Sequence, residues 1–175
     1  MRCLECGAAM RPRKKQRYQY RESGLEDVWI EVTVHVCPKC GETLPEISDV
    51  KGLHALIADR LFQKATSLTG AEVRFLRKQM GMKAKDCATL LGVSPVTVSR
   101  WETGTERVGD TNDRLIRCLY LLHRIEAGRE VRPRRSFKRI LEDLSQLKEA
   151  KTPRPLDITI PAEVLEEVKA VRRGA

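Results

Sequence analysis

Cys3-Leu4-Glu5-Cys6-Gly7 recurs in this chain as Cys37-Pro38-Lys39-Cys40-Gly41. Two residues between cysteines let both thiolates of a pair reach one cation from a tight turn. The glycine after the second cysteine supplies the positive φ that such a turn needs. Two turns of this kind give four sulfurs, the full tetrahedral shell of a structural Zn²⁺, and leave no open position for catalysis. A single C-x-x-C also serves dithiol redox chemistry, whereas two copies with the glycine in both point to metal. The expectation is one structural Zn²⁺ per chain on Cys3, Cys6, Cys37 and Cys40.

Outward from the second pair, Val28, Ile30, Val32, Val34 and Val36 alternate with Trp29, Glu31, Thr33 and His35. This period of two predicts a half-buried strand that delivers Cys37 directly to the metal. Tyr18 and Tyr20 mark a shorter strand before it, with Ser23-Gly24 as the turn between them. Residues 1–47 thus read as a small β-rich zinc ribbon whose staple is the metal, so stripping the ion is expected to unfold it. His35 lies near Cys37, but four thiolates leave it no ligand role. Cys87 and Cys118 read as small buried residues in helices.

The formal net charge of +9 favours a polyanionic partner. Aromatic residues are only 5% of the chain, too few for a stacking platform on single strands, so duplex DNA fits better. Met1-Arg2-Cys3 runs straight into the first knuckle with no apolar leader, and no stretch approaches the ~18 apolar residues of a membrane span. The expected setting is cytoplasmic, with reduced thiols and no membrane. No nucleophile–base grouping or phosphate-binding loop stands out, which argues against an enzyme and a small-molecule substrate.

Pro45 and Ser48 punctuate the next boundary. Ser48 is the expected cap of a helix with the stripe Val50, Leu53, Ile57 and Leu61, and residues 48–68 read as a connecting helix and hinge. Thr69-Gly70-Ala71-Glu72 is a capping box ahead of Val73, Leu76 and Met80, and that helix stops at Gly81. A second helix covers Lys83 to Leu91. Gly92-Val93-Ser94 then turns, and Ser94-Pro95 opens a third helix with a cap residue and proline at its first position. Ala88 sits where the two helices cross, and Val98 and Trp101 anchor the third by one face. The opposite face carries Val96, Ser99, Arg100 and Thr103 at spacing i, i+3, i+4, i+7, turned to solvent or a DNA groove. This is the spacing of a helix-turn-helix. A helix after Asp110, with Leu115, Ile116, Leu119 and Leu122, completes a five-helix domain, residues 69–128.

The two cysteine pairs ahead of Gly92-Val93-Ser94-Pro95-Val96-Thr97-Val98-Ser99-Arg100-Trp101-Glu102-Thr103-Gly104 resemble the MqsA (YgiT-type) antitoxin family. The resemblance covers residues 1 to about 125. It implies an N-terminal zinc domain that docks a toxin, and an Xre-type helical domain that dimerises and represses its own operon at a palindrome. Carried onto this chain, the DNA contacts are Ser94, Val96, Thr97, Ser99, Arg100 and Thr103. Lys83 and Ala84 stand where related domains place a capping hydroxyl and a phosphate-holding glutamine, so that contact is either missing or moved to Lys83 and Lys85. Val96 replaces a polar reading residue, which implies a different operator with a thymine methyl contact.

Beyond Gly128 the chain is longer than short members of that family. Residues 129–175 read as a basic helical tail: Arg129, Arg132, Arg134, Arg135, Lys138 and Arg139, then a helix with the stripe Phe137, Ile140, Leu141, Leu144 and Leu147. Lys151–Pro155 is a linker, Leu156–Ile160 a strand for some sheet edge, and Val164–Val171 a short helix. The expected class is α+β multidomain. Two functions fit. One is a DNA-binding repressor and antitoxin, a homodimer on a double-stranded operator, with a toxin protein as partner. The other is a stand-alone zinc-ribbon regulator with no toxin. For a basic toxin, the edge of the Val28–Val36 strand or the acidic Glu22, Glu26 and Asp27 are the expected contacts, and the Leu156–Ile160 strand is the alternative.

Overall fold

Val34 faces Arg13 on one side and Pro45 on the other, and this double pairing sets the N-terminal architecture. The computed structural model describes residues 1–127 and 153–173, side chains being described to Glu167, together with Lys138, Arg139, Glu142 and Ser145. The expected basic run 129–135 and the stripe from Phe137 to Leu147 fall outside the described residues. The chain has mixed α+β architecture, a small sheet with the cysteine cluster followed by five helices, and its contacts divide it into two compact units. The first comprises Met1–Ser23, Asp27–His54 and the segment from Asp157 onward. The second comprises Gly24–Glu26 and Ala55–Leu156.

In the first unit, β1 (Arg11–Gln19) pairs antiparallel with β2 (Val28–Val36) along its full length, from Arg11 opposite Val36 to Gln19 opposite Trp29. Val28, Ile30, Val32 and Val34 are buried while the residues between them are half-exposed, as the alternation predicts. β1 is longer than the short tyrosine strand expected. Arg11 to Arg17 are all exposed, so this stretch lacks the apolar alternation that marks a strand, and backbone pairing alone defines it. β3 (Thr43–Glu46) pairs with Thr33–Val36, and its Pro45, expected as a boundary, sits inside a peripheral strand where no inward donor is required. β4 (Ile158–Ile160) pairs parallel with Val28–Ile30 on that same side of β2. The expected tail strand therefore exists, and its sheet edge belongs to the chain's own first unit. A last helix, numbered α6 here, spans Ala162–Arg173.

α1 (Val50–Phe62) begins at Asp49 rather than at Ser48. The Asp49 carboxylate accepts from the Gly52 amide at 2.8 Å, and its carbonyl accepts from Leu53. Aspartate is as good a cap as serine and stands one residue closer to the first helical turn.

The second unit holds α2 (Gly70–Gln79), α3 (Ala84–Leu91), α4 (Pro95–Glu102) and α5 (Asp110–Glu126), together with the end of α1. The capping box forms as the sequence predicts: Thr69 Oγ1 accepts from the Glu72 amide and Glu72 Oε2 accepts from the Thr69 amide at 2.7 Å. The α2 helix ends with Gly81 at φ +68°. Its core gathers Leu61, Phe62, Val73, Leu76, Ala88, Val98, Trp101 and Ile116. In α5 the inward face differs from the expected leucine stripe. Asp113, Ile116, Arg117, Tyr120 and Arg124 are buried, whereas Leu115 and Leu122 are exposed.

Candidate metal centre and nucleic-acid interface

Each cysteine pair is a knuckle with the same backbone. In the first, the Gly7 amide donates to the Cys3 carbonyl at 3.0 Å and the Cys3 amide to Ala8. In the second, Gly41 donates to Cys37 at 3.1 Å and Cys37 to Glu42. Gly7 and Gly41 take φ +72° and +77°, which only glycine adopts without strain. The Arg2–Ala9 bridge closes the first turn, and the end of β2 carries Cys37 into the second. Cys3 Sγ lies 3.5 Å from Cys40 Sγ and Cys6 Sγ 3.4 Å from Cys37 Sγ, with all four sulfurs within 4.8 Å of one another. Tetrahedral metal–sulfur bonds of about 2.3 Å give sulfur–sulfur edges of about 3.8 Å, so the quartet fits that shell and could hold a metal ion. None of the six cysteines is in a disulfide.

The protons are unevenly held. The Cys40 backbone amide, and then that of Lys39, favour the Cys37 thiolate and lower its pKa to about 6. At Cys40 the Glu42 amide pulls downward, but hydrogen bonds with the Cys37 and Cys3 sulfurs outweigh it and raise the thiol to about 12. Cys6 is also raised: the Ala8 amide pulls downward, while the Cys37 sulfur and burial push the other way. A divalent cation would replace these protons and remove the competition among four crowded sulfurs. Met10, Ala8 and Leu44 pack around Cys3 and Cys37. His35 is not one of the clustered ligands, and its Nε2 lies 3.2 Å from Glu46 Oε2.

In the second unit, α3 ends at Gly92 in the left-handed conformation, φ +66°, and Ser94 opens α4 by accepting from the Thr97 amide at 3.0 Å. Ala88, Val98 and Trp101 are buried, as the spacing predicts. Ser94, Val96, Ser99, Arg100 and Thr103 are exposed along α4 and Thr97 is half-buried. Three of the hydroxyls are already engaged. Thr97 Oγ1 is 2.9 Å from Ser94 Oγ, and Thr103 Oγ1 donates back to the Ser99 carbonyl at 3.0 Å. Val96, Ser99 and Arg100 are therefore the outward-reaching members of the set, Arg100 making a long 3.9 Å ion pair to Glu106. Lys83 is the N-cap residue of α3 without a side-chain cap bond, and Lys83 and Lys85 are both exposed.

What holds α4 in place was not apparent from periodicity. Glu102, at its end, accepts from Arg77 of α2 at 2.6 and 2.8 Å, and Arg77 also donates to the Met82 carbonyl at 2.7 Å. Gly70, at the start of α2, lies so close to the Trp101 carbonyl that a Cβ there would overlap it.

A sheet that ends in a four-sulfur cluster, followed by five helices with an exposed α4 face, makes a two-unit α+β protein. A family model described as the antitoxin component of a bacterial toxin–antitoxin system, MqsA, matches residues 1–132, and the chain belongs to that family. No curated protein and no solved structure matches it. Among the described residues, no helix is long and apolar enough to cross a membrane.

Proposed function

We propose that the chain is a repressor-antitoxin: it binds a palindromic DNA operator as a homodimer through α3 and α4, neutralises a toxin protein, and carries one structural Zn²⁺ on Cys3, Cys6, Cys37 and Cys40. The observation that carries the DNA reading is the row Val96, Ser99 and Arg100, exposed on a short helix whose other face is anchored by Val98 and Trp101. Arg100 is suited to bidentate bonding with a guanine, Val96 to a thymine methyl, and Lys83 and Lys85 to phosphate. Ser94, Thr97 and Thr103 line the same helix and complete the contact set. Support for a second copy comes from α5, which exposes Leu115, Leu122 and Ile125 at 37%, 56% and 60%. These lie on one helical side, an apolar stripe of the kind that pairs with a copy of itself. Four thiolates without an open position make the metal structural rather than catalytic, so no enzymatic step is assigned.

For a toxin strand, β2 offers no open edge. β1 covers one side of that strand and β3 and β4 cover the other, and the Leu156–Ile160 strand is itself engaged as β4. The expectation of a free edge on Val28–Val36 is thereby corrected, while the outer side of β4 and the acidic Glu22, Glu26 and Asp27 remain the proposed contacts. Tests of toxin binding accordingly use the full chain.

Footprinting of the full chain on its own upstream region tests the reading. A two-fold symmetric footprint with half-sites roughly one turn apart, ~34 Å, is expected. Arg100→Ala is expected to cost roughly 1–3 kcal/mol per half-site and to relax one base position. Co-expression with the product of the adjacent small reading frame is expected to restore growth. An asymmetric footprint, or unchanged base preference in Arg100→Ala, overturns the DNA assignment. A product that neither binds the chain nor harms growth leaves the stand-alone regulator.

A further inference from the structure

β3 covers only the Thr33–Val36 half of its side of β2, the half that leads into Cys37. The other half, Val28–Ile30, is completed by β4, which returns from the far end of the chain. The Ile158 amide donates to the Asp27 carbonyl at 2.8 Å, and Ile158 and Ile160 are 3% and 2% exposed. α6 follows directly with Val164 and Leu165 half-buried. Its Glu163 meets Lys15 at 3.0 Å, a contact spanning 148 positions of sequence. Lys15 lies in the irregular stretch of β1 between Arg13 and Gln16 and has φ +50°, rare for a residue with a side chain. Such an irregularity redirects a side chain out of the regular alternation, and here the redirected lysine meets α6. The segment that supplies these contacts lies beyond residue 132, where the family match ends.

The sheet therefore has two anchors at opposite ends. The four-sulfur cluster, with Met10 and Leu44 around it, secures the end where β2 runs into Cys37. At ~3.3 Å per residue, Val28 is more than 20 Å from that end. A metal bound there cannot hold Val28–Ile30, and the buried apolar residues at that end include Ile158 and Ile160 of the returning chain. A three-residue strand does not persist alone, but a strand continuous with a packed helix and tied to β1 by Lys15 does. The geometry points to a clasp donated in cis: β4 and the first turns of α6 keep the Val28–Val32 part of the sheet folded when the cysteines have lost their metal, and occupy the edge that a foreign strand would need. The tail is thus a second, metal-independent staple of the N-terminal unit.

Hydrogen exchange on the full chain, read by peptide mass spectrometry with zinc and after chelation, tests this. Expected is fast exchange over Cys37–Gly41 after chelation, with Val28–Val32 still protected. In the full-length Ile158→Asp/Ile160→Asp variant, chelation is expected to speed exchange over Val28–Val32 at least tenfold while α2–α4 stay protected. Loss of protection at Val28–Val32 in the chelated parent chain overturns the proposal, as does equal exchange in parent and variant. If the double variant is unfolded even with zinc, Ile160→Ala decides. A several-fold increase confined to Val28–Val32 supports the clasp, and no increase there overturns it. Zinc stoichiometry measured on the same samples separates failure of the clasp from failure of the metal reading.

Discussion

Arg77 and Glu102 meet as two parallel hydrogen bonds, Nε to Oε1 at 2.6 Å and Nη2 to Oε2 at 2.8 Å, with both side chains about nine-tenths buried. This pair fixes the end of α4 to α2, and with the close approach of Gly70 to the Trp101 carbonyl it sets the angle at which Val96, Ser99 and Arg100 are presented. A planar fork against a carboxylate gives direction as well as attraction, which a lysine cannot reproduce.

Arg77→Ala is expected to destabilise the helical unit by roughly 3 kcal/mol, because the buried Glu102 charge is left with only the exposed Arg74, 4.0 Å away. Arg77→Lys restores only part of that. Denaturant unfolding followed by Trp101 fluorescence measures both. A loss under about 1 kcal/mol for Arg77→Ala, the range of an exposed surface pair, contradicts the clamp.

Much of this was legible because it depends on spacing. The knuckles, the β2 alternation, the capping box and the Gly92–Pro95 turn each require particular residue types at fixed offsets, and each forms as expected. β1 was legible only in part, since a charged edge strand carries no apolar period, and β3 was hidden by Pro45. The inward face of α5 was misread for a different reason. Asp113 and Arg117 are charged, and only tertiary hydrogen bonds make their burial tolerable. The pairing of β4 with β2 had no local signal at all, because a parallel partner far along the chain is chosen by packing rather than by any nearby residue.

At the metal centre, the lowered Cys37 pKa sets a pH signature. In the closed knuckle Cys37 is held as the thiolate a metal needs, and that advantage disappears as pH falls through about 6. Zinc affinity of the full chain, measured by chelator competition across pH, checks this. Above that pH, zinc displaces no proton from Cys37 but does displace protons from Cys6 and Cys40, whose thiols are raised. Zinc affinity therefore climbs with pH beyond 6. A zinc affinity that does not rise with pH contradicts this assignment.

For the proposed dimer, Leu122→Glu with Ile125→Glu places carboxylates in the exposed stripe of α5 without touching its buried residues, Ile116, Arg117 and Tyr120. The expected outcome is a folded monomer in sedimentation, with operator affinity at least 100-fold weaker because each half-site is then bound singly. Zinc content is expected to be unchanged. A variant that remains dimeric removes α5 from the interface.

Arg117 offers the sharpest energetic test. It is fully buried and its guanidinium is spent on five acceptors: Asp113 Oδ1 at 2.6 Å and the carbonyls of Leu61, Phe62, Lys64 and Thr66. Three of these carbonyls belong to the end of α1 and the turn after it, groups with no partner inside the helix. Asp113 in turn accepts from the Leu68 amide. An isolated buried ion pair is often replaceable by apolar residues at little cost. Here that replacement is expected to fail, because removing both charges still takes the partner from the Phe62, Lys64 and Thr66 carbonyls and the Leu68 amide, each at about 1–3 kcal/mol, while the Leu61 carbonyl keeps the Lys64 amide. Asp113→Leu/Arg117→Met is therefore expected to be at least as unstable as Arg117→Met alone, which itself loses roughly 3–5 kcal/mol. Unfolding by denaturant, monitored by circular dichroism of the full chain, measures both. Recovery of near-parental stability in the double variant would show that the pair serves only itself and that α1 ends without needing Arg117.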